Sequence, residues 1–120
     1  MATRNSFKSG SAEMLILHLL NKNGDCYGYE ISQMIRRLSG GYISFPEGSL
    51  YPAFYKLIEN GCITDYKKTV GKRLTRVYYH LEPKGLERLN QLTEEYYRTN
   101  TGIQAVLDYD FSKMEESGDE

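Results

Sequence analysis

The fold is indicated most strongly by residues 44–61, which read SFPEGSLYPAFYKLIENG. Apolar residues recur there at spacings of three and four, so the segment predicts an amphipathic helix with a polar outer face. The start of this helix has two alternatives. Ser44 and Glu47 have the spacing of a capping box, which begins the helix early and places Pro52 in its interior, at a cost of about 3 kcal/mol. A start near Ser49 avoids that cost.

A β-hairpin is predicted directly after this helix. The stretches 63–69 and 74–81 are rich in β-prone residues, and the second alternates apolar with polar side chains as a half-buried strand does. Five cations and no acidic residue lie within the ten residues around the intervening turn: Lys67, Lys68, Lys72, Arg73 and Arg76. We therefore predict a hairpin whose positive charge is concentrated at and beside its tip.

Two further helices are predicted before this segment. Ser11 is expected to cap the first, whose run at 14–20 is apolar except for His18, and we expect this helix to be central in the core. His18 is interpreted as a satisfied core or interface histidine. The second helix extends from about Tyr27 to Leu38. Its buried stripe is predicted to consist of Ile31, Met34, Ile35 and Leu38.

A fourth helix is predicted to open at Pro83. Its apolar residues follow the alternating three- and four-residue spacing of a coiled-coil seam, which a single small domain cannot fully bury. Gly102 interrupts the seam at a cost near 1 kcal/mol, so the helix either ends early or continues to about Leu107. The predicted dimerisation seam consists of Leu89, Leu92, Tyr96, Ile103 and Val106.

Three helices, a two-stranded hairpin and a further helix, in this order, are typical of a winged helix–turn–helix domain, a mostly α fold with a small β-hairpin. In that geometry the third helix enters the major groove of DNA, and the hairpin, or wing, reaches the flanking backbone. We predict that the five wing cations contact phosphates and that Lys56 holds a phosphate at the groove edge. The predicted base-reading residues are Ser49, Tyr51, Pro52 and Tyr55. For Tyr51, anchoring the helix is the alternative.

Composition limits the other classes of function. The chain has 120 residues, a formal net charge of −1 and two cysteines without metal-binding spacing. Its two histidines, His18 and His80, have no carboxylate and nucleophile at catalytic spacing, so we predict neither an enzyme nor a cofactor or metal site. No apolar run reaches the roughly 20 residues of a membrane span, and a cytoplasmic protein without membrane association is the expectation.

The charge is distributed unevenly along the chain. Residues 108–120 carry a net charge of −5 and the preceding residues +4, which is typical of a domain with one basic surface and a solvated acidic tail. We therefore predict four segments: a flexible N-terminus at 1–10, a DNA-binding domain at 11–82, a dimerisation helix at 83–107 and a disordered acidic tail at 108–120.

Four stretches of the chain resemble the PadR family of bacterial transcriptional regulators. The first is the apolar run AEMLIL at 12–17, and the second is YGYEI at 27–31, where the family has HGYEI. The third is PEGSLYPAF at 46–54 with LIENGCI at 57–63, and the fourth is RLTRVYYHL at 73–81. The resemblance covers residues 12 to about 107.

The resemblance implies a homodimeric repressor that binds double-stranded DNA and whose C-terminal helix packs against the partner. Short members of the family often bind planar aromatic effectors between the protomers, and some use a tryptophan there. This chain has no tryptophan, so Tyr96 or Tyr97 is the candidate for stacking, with dimer packing as the alternative for both. The alternative function is a winged-helix protein-interaction adaptor without DNA readout, because the net charge is slightly negative.

Overall fold

The structure is a computed structural model that describes residues 6–46 and 48–113. Its order of elements confirms the predicted class, a mostly helical chain with a small antiparallel sheet. The elements are α1 (Ser6–Asn23), β1 (Cys26–Tyr27), α2 (Gly28–Leu38), α3 (Tyr51–Glu59), β2 (Ile63–Val70), β3 (Leu74–Leu81), α4 (Pro83–Asp108) and a 3-10 turn (Phe111–Lys113). The chain divides between Asn90 and Gln91 into two compact units, called here the winged-helix unit and the C-terminal unit.

The core of the winged-helix unit lies where α1, α2, α3 and the sheet meet. Its fully buried side chains come from every one of these elements: Ile16, Leu17, Cys26, Ile31, Phe54, Leu57 and Ile63. The ring of Phe54 on α3 stacks on that of Tyr79 on β3, with centroids 4.1 Å apart and planes only 9° from parallel. This aromatic contact fixes α3 against the sheet, since face-to-face burial of two large rings removes much apolar surface from water.

Three expectations for the first two helices need correction. α1 begins at Ser6 rather than behind a cap at Ser11, so the predicted flexible N-terminus overlaps the helix at 6–10, while residues 1–5 lie outside the described part. His18 is exposed, so it is not a core residue, and its alternative role as an interface histidine stays a prediction. Leu38 is 66% exposed because it is the last residue of α2, beyond the edge of the core.

The sheet has three strands instead of the predicted two, in the order β1–β3–β2. β2 and β3 pair antiparallel from Ile63 opposite Leu81 to Val70 opposite Leu74, and Gly71 in the turn has φ +72°. The additional strand β1 pairs with β3 through Cys26 and Tyr27. Two residues are too few to show the alternation that identifies a strand in sequence, so β1 had no detectable signal.

The start of α3 follows the later of the two alternatives. Its first helical residue is Tyr51, with Leu50 as the N-cap, so Pro52 lies in the first turn. The N–H that Pro52 lacks costs the helix no hydrogen bond there, because the first N–H groups of a helix have no intrahelical partner. The predicted capping box involves Glu47, which lies outside the described residues.

α4 begins at Pro83 as predicted and continues past Gly102 to Asp108, which decides between its two alternative ends. Gly102 is exposed, and a side chain there would meet no atom within 4 Å. The predicted acidic tail overlaps the 3-10 turn at 111–113, and residues 114–120 lie outside the described part. None of the helices in the ranges given above is both long enough and apolar enough to cross a membrane.

Candidate nucleic-acid interface

The outer face of α3 carries large polar–aromatic side chains in contact with solvent. Tyr55 is 65% and Tyr51 is 45% exposed, and Pro52 is also exposed. The rings of Tyr51 and Tyr55 lie 6.2 Å apart and are inclined by 26°, and Tyr51 also meets Phe54 edge-on at 6.0 Å. Tyr51 therefore supports the helix through Phe54 and borders the outer face at once, so both of its predicted roles are compatible with its position.

Ser49 lies in the turn before α3 and not on the helix itself. Its hydroxyl donates a hydrogen bond to the carbonyl oxygen of Pro46, at 2.8 Å. Because that proton is engaged, the oxygen of Ser49 is free only to accept. An acceptor at this point matches the exocyclic amino groups that adenine and cytosine present in the major groove.

Lys56 is connected to α1. Its Nζ lies 3.3 Å from Oε2 of Glu13, although 63% of the lysine side chain remains exposed. Exposed ion pairs of this kind contribute little, typically less than about 1 kcal/mol. A phosphate would have to compete with Glu13 for this lysine. This contact joins residues 43 positions apart, so no local sequence pattern predicts it.

The five wing cations fall into two groups. Lys68 and Arg76 are directly opposite each other on β2 and β3, and both lie over tyrosine rings. The Nζ of Lys68 is 5.4 Å from the centroid of Tyr78, and the guanidinium carbon of Arg76 is 4.3 Å from that of Tyr27. Cation–π contacts at these distances hold both side chains on one face of the sheet.

The second group consists of Lys67, Lys72 and Arg73. All three are exposed, and no ion pair or ring contact with residues 6–46 or 48–113 engages them. Lys72 and Arg73 lie in the turn itself, where the hairpin reaches farthest from the core. These cations are therefore the ones most available to an external anion.

The face of the sheet that carries Lys68 and Arg76 also carries a row of three tyrosines, here called the tyrosine face. Tyr78 is in its centre, with Tyr27 edge-on at 5.5 Å and Tyr66 stacked at 5.7 Å. β2–β3 pairing places Tyr66 opposite Tyr78, and β1–β3 pairing places Tyr27 on its other side. Sequence reasoning did not identify this row, because its members come together only through the registers of the β2–β3 and β1–β3 pairs.

Asp25, in the turn before β1, closes one end of the tyrosine face. Its Oδ2 accepts a hydrogen bond from the Tyr66 hydroxyl, and its Oδ1 lies 2.8 Å from Nδ1 of His80. Partial burial acts to raise the pKa of Asp25, but the hydrogen bonds from His80 and Tyr66 outweigh it and lower that pKa. The hydrogen bond to Asp25 in turn raises the pKa of His80, reinforced by the Asp25 charge.

The hydroxyl of Tyr79, at the buried end of the wing, stays protonated and therefore neutral. Burial raises the pKa of Tyr79 to about 12, with smaller contributions from the neighbouring Tyr51 and Asp65. Tyr79 stacks on Phe54 beneath the sheet, so its ring is part of the support of the interface and not of its outer surface. Within the two described ranges, no three His, Cys, Asp or Glu side chains form a group that could hold a metal ion.

The C-terminal unit presents apolar side chains to solvent along α4. Tyr96, Ile103 and Val106 of the predicted seam are 49%, 42% and 69% exposed. Tyr96 and Tyr97 meet edge-on with centroids 5.1 Å apart. Leu92 is half-buried.

The assignment of Leu89 to this seam needs correction. Leu89 belongs to the part of α4 that lies in the winged-helix unit, and it is only 4% exposed. Its side chain packs in the core of its own protomer and is not presented to a partner.

Comparison with known proteins agrees with this architecture. The profile of the family described as "Transcriptional regulator PadR-like family" matches residues 16–91. An uncharacterised protein from Lysinibacillus sphaericus is 31% identical over 93 residues, 78% of this chain and 84% of that protein.

Two solved structures are similar in fold and sequence. A transcriptional regulator from Clostridium thermocellum is 36% identical with a TM-score of 0.76, covering 83% of this chain and 96% of that one. Bacillus subtilis PadR in complex with operator DNA is 28% identical with a TM-score of 0.61. That match covers 68% of this chain and 45% of the longer Bacillus chain.

Proposed function

The chain belongs to the PadR-like family of transcriptional regulators, and on this basis we propose that it is a dimeric repressor that binds an inverted-repeat operator in double-stranded DNA. Proteins of this family regulate transcription and are not enzymes. The observation that carries the proposal is the exposed outer face of α3, held beside a wing whose tip bears Lys72 and Arg73 with no partner among the described residues. Binding of operator DNA by the similar Bacillus subtilis PadR supports it.

In the proposed complex, α3 lies in the major groove. The hydroxyls of Tyr51 and Tyr55 donate to or accept from base edges, Ser49 accepts, and the ring of Pro52 offers an apolar surface to a thymine methyl. Phosphate contacts position a protein on DNA but carry no direct sequence information, so this face supplies the specificity. Two-fold symmetry of the dimer gives half-sites about one helical turn, or a multiple of it, apart.

The remaining segments have proposed roles of their own. Residues 11–82 form the DNA-binding domain and 83–107 the dimerisation helix. A small aromatic effector between the protomers is proposed to contact Tyr96 or Tyr97, whose exposed rings can stack on a planar ligand. Such a regulator acts in the cytoplasm, on bacterial DNA.

The wing is expected to supply affinity that does not depend on sequence. Replacing Lys72 and Arg73 together by alanine removes two phosphate contacts per protomer, which reduces the slope of log affinity against log salt by roughly 2 per protomer. Titrations of a duplex enriched from a random library, and of a scrambled duplex, over a series of salt concentrations measure this slope. Arg36→Ala with Arg37→Ala is the matched control, since it removes the same charge from α2. Equal slopes for the wing variant and the native protein would show that the tip does not touch phosphate.

The hydroxyl of Tyr55 is expected to contribute to specificity. Tyr55→Phe should weaken binding to the enriched duplex by about 1 kcal/mol and leave binding to the scrambled duplex nearly unchanged, since one hydrogen bond to a base edge is lost. Both titrations are made at one salt concentration. Tyr42→Phe removes a hydroxyl from the loop before α3, where Tyr42 is 89% exposed, and serves as the control.

The protein-interaction adaptor remains the second candidate. One observation favours it: Lys56, Lys68 and Arg76 are each engaged within the protein, so fewer cations are available to DNA than the sequence indicates. If Ser49→Ala, Tyr55→Phe and their double variant all preserve the ratio of affinities for the enriched and scrambled duplexes, α3 is not the reader and the adaptor becomes the better hypothesis.

A further inference from the structure

We propose that Asp25 is a positioning residue for the wing, and that its contact with His80 makes the orientation of the wing, and through it the affinity for DNA, dependent on pH. The carboxylate joins the two long strands of the sheet to the turn that follows α1. Only the last step, from orientation to affinity, rests on the proposed function.

The hydrogen-bonded group of Asp25, His80 and Tyr66 is called here the clamp. Oδ1 of Asp25 lies 2.8 Å from Nδ1 of His80 on β3, and Oδ2 accepts the hydroxyl of Tyr66 on β2, also at 2.8 Å. One side chain thus uses both of its oxygens, each on a different strand. The two residues it holds are 55 and 41 positions away along the chain, so the clamp closes only in the folded protein.

The clamp acts where the wing leaves the core. On the inner face of the sheet, Tyr79 is fixed by its stack on Phe54. Between Thr64 and Tyr78 no side chain is buried, so nothing in the core holds the distal part of the hairpin. From Tyr66 to the turn at Lys72 the strand extends about 20 Å, and a rotation of about 10° at its base would move the tip by roughly 3 Å.

Several groups surround the imidazole of His80. Asp25 faces it from the turn before β1, Tyr66 shares that carboxylate from β2, and Glu82 follows β3 and accepts a hydrogen bond from Thr64, the residue opposite His80. The hydrogen bond to Asp25 and the charge of Asp25 raise the pKa of His80; partial burial opposes them, and the charge of Glu82 adds a smaller increase. The imidazolium therefore persists to a higher pH than in an ordinary histidine.

The direction of the pH effect follows from these shifts. The ionic clamp is complete at and below the ordinary pKa of histidine, about 6.5, and is lost as the pH rises through the raised pKa of His80. On the acid side it is lost only as the pH falls through the lowered pKa of Asp25. A neutral imidazole protonated at Nδ1 still donates to Asp25, so loss of the charge weakens the clamp without breaking it. An exposed ion pair of this kind changes an equilibrium constant by about two- to five-fold.

The first measurement needs no DNA. Residual dipolar couplings report the orientation of backbone N–H bonds, and we compare those of residues 67–77 with those of α2 between about pH 6 and pH 8.5. In the native protein the wing couplings should change with the same midpoint as the His80 ring resonances, and they should stay constant in Asp25→Asn. His18→Gln removes the other histidine and should behave as the native protein. Wing couplings that are constant in the native protein, or that change equally in Asp25→Asn, would overturn the proposal.

The second measurement is the affinity for the enriched duplex over the same pH range at constant ionic strength. The native protein and His18→Gln should lose about two- to five-fold in affinity as the pH rises, whereas Asp25→Asn and His80→Gln should show flat profiles. Couplings that change while all affinity profiles coincide would overturn the link to DNA. Absence of DNA binding by every variant at every pH would contradict the proposed function, and the couplings would still decide whether the clamp orients the wing.

Discussion

Replacing Gly85 by alanine is expected to destabilise the winged-helix unit by about 3 kcal/mol. Gly85 lies in the first turn of α4 and is buried. A Cβ at this position would overlap the carbonyl oxygen of Cys62 and lie 2.7 Å from Cδ1 of Leu81. Leu81 could rotate away, but the Cys62 carbonyl accepts a hydrogen bond from the amide of Glu82 at 3.0 Å and cannot retreat without losing it. The overlap outweighs the roughly 1 kcal/mol by which alanine favours a helix over glycine.

Thermal and urea unfolding at one protein concentration measure this effect. For a unit of this size, 3 kcal/mol corresponds to a fall in Tm of roughly 15 °C. Gly102→Ala is the matched control, because it makes the same change in the same helix at a position where the new methyl group meets no atom within 4 Å. We expect this control to be neutral or to stabilise by up to about 1 kcal/mol. Equal stabilities of the two variants would contradict the close approach of α4 to the chain at Cys62.

The sequence predicted those parts of the fold whose signals are local. The apolar stripe of α2, the alternation in β3 and the proline at the start of α4 each fall within one element, and all three elements lie close to where they were expected. β1 was missed because it consists of two residues and exists only by pairing with β3. Leu38 was placed in the core because a periodic pattern does not reveal where the core ends.

In the candidate interface, too, some features have a local sequence signal and others do not. Exposure of Pro52 and Tyr55 followed from the helical period alone. The partners of Lys56 and Arg76 did not, because Glu13 and Tyr27 reach them from distant parts of the chain. Charge counting therefore identified where the cations are concentrated but not how many of them are free to bind DNA.

The prediction with the largest expected effect on DNA binding concerns the seam of α4. Ile103→Glu is expected to convert the proposed dimer into monomers, because it would place a carboxylate within the proposed apolar interface, where an unpaired charge is costly. Ile103 is 42% exposed in the protomer, so the change should leave the folding of the protomer intact. A monomer engages one half-site, and the loss of simultaneous binding to two half-sites should lower the affinity for the enriched duplex by about 100-fold.

Sedimentation equilibrium at micromolar concentration measures the first effect, with a protomer mass of 13.8 kDa as the expected result for Ile103→Glu. Ala105→Glu is the control, because it adds the same charge on the opposite side of the helix axis, where the seam does not run. Circular dichroism of both variants verifies that the helices remain folded. Retention of the dimer by Ile103→Glu, or equal dissociation in both variants, would show that the exposed apolar residues of α4 do not form the interface. In that case two-fold symmetry of the operator would no longer follow from this helix, since the half-site geometry depends on how the two reading helices are joined.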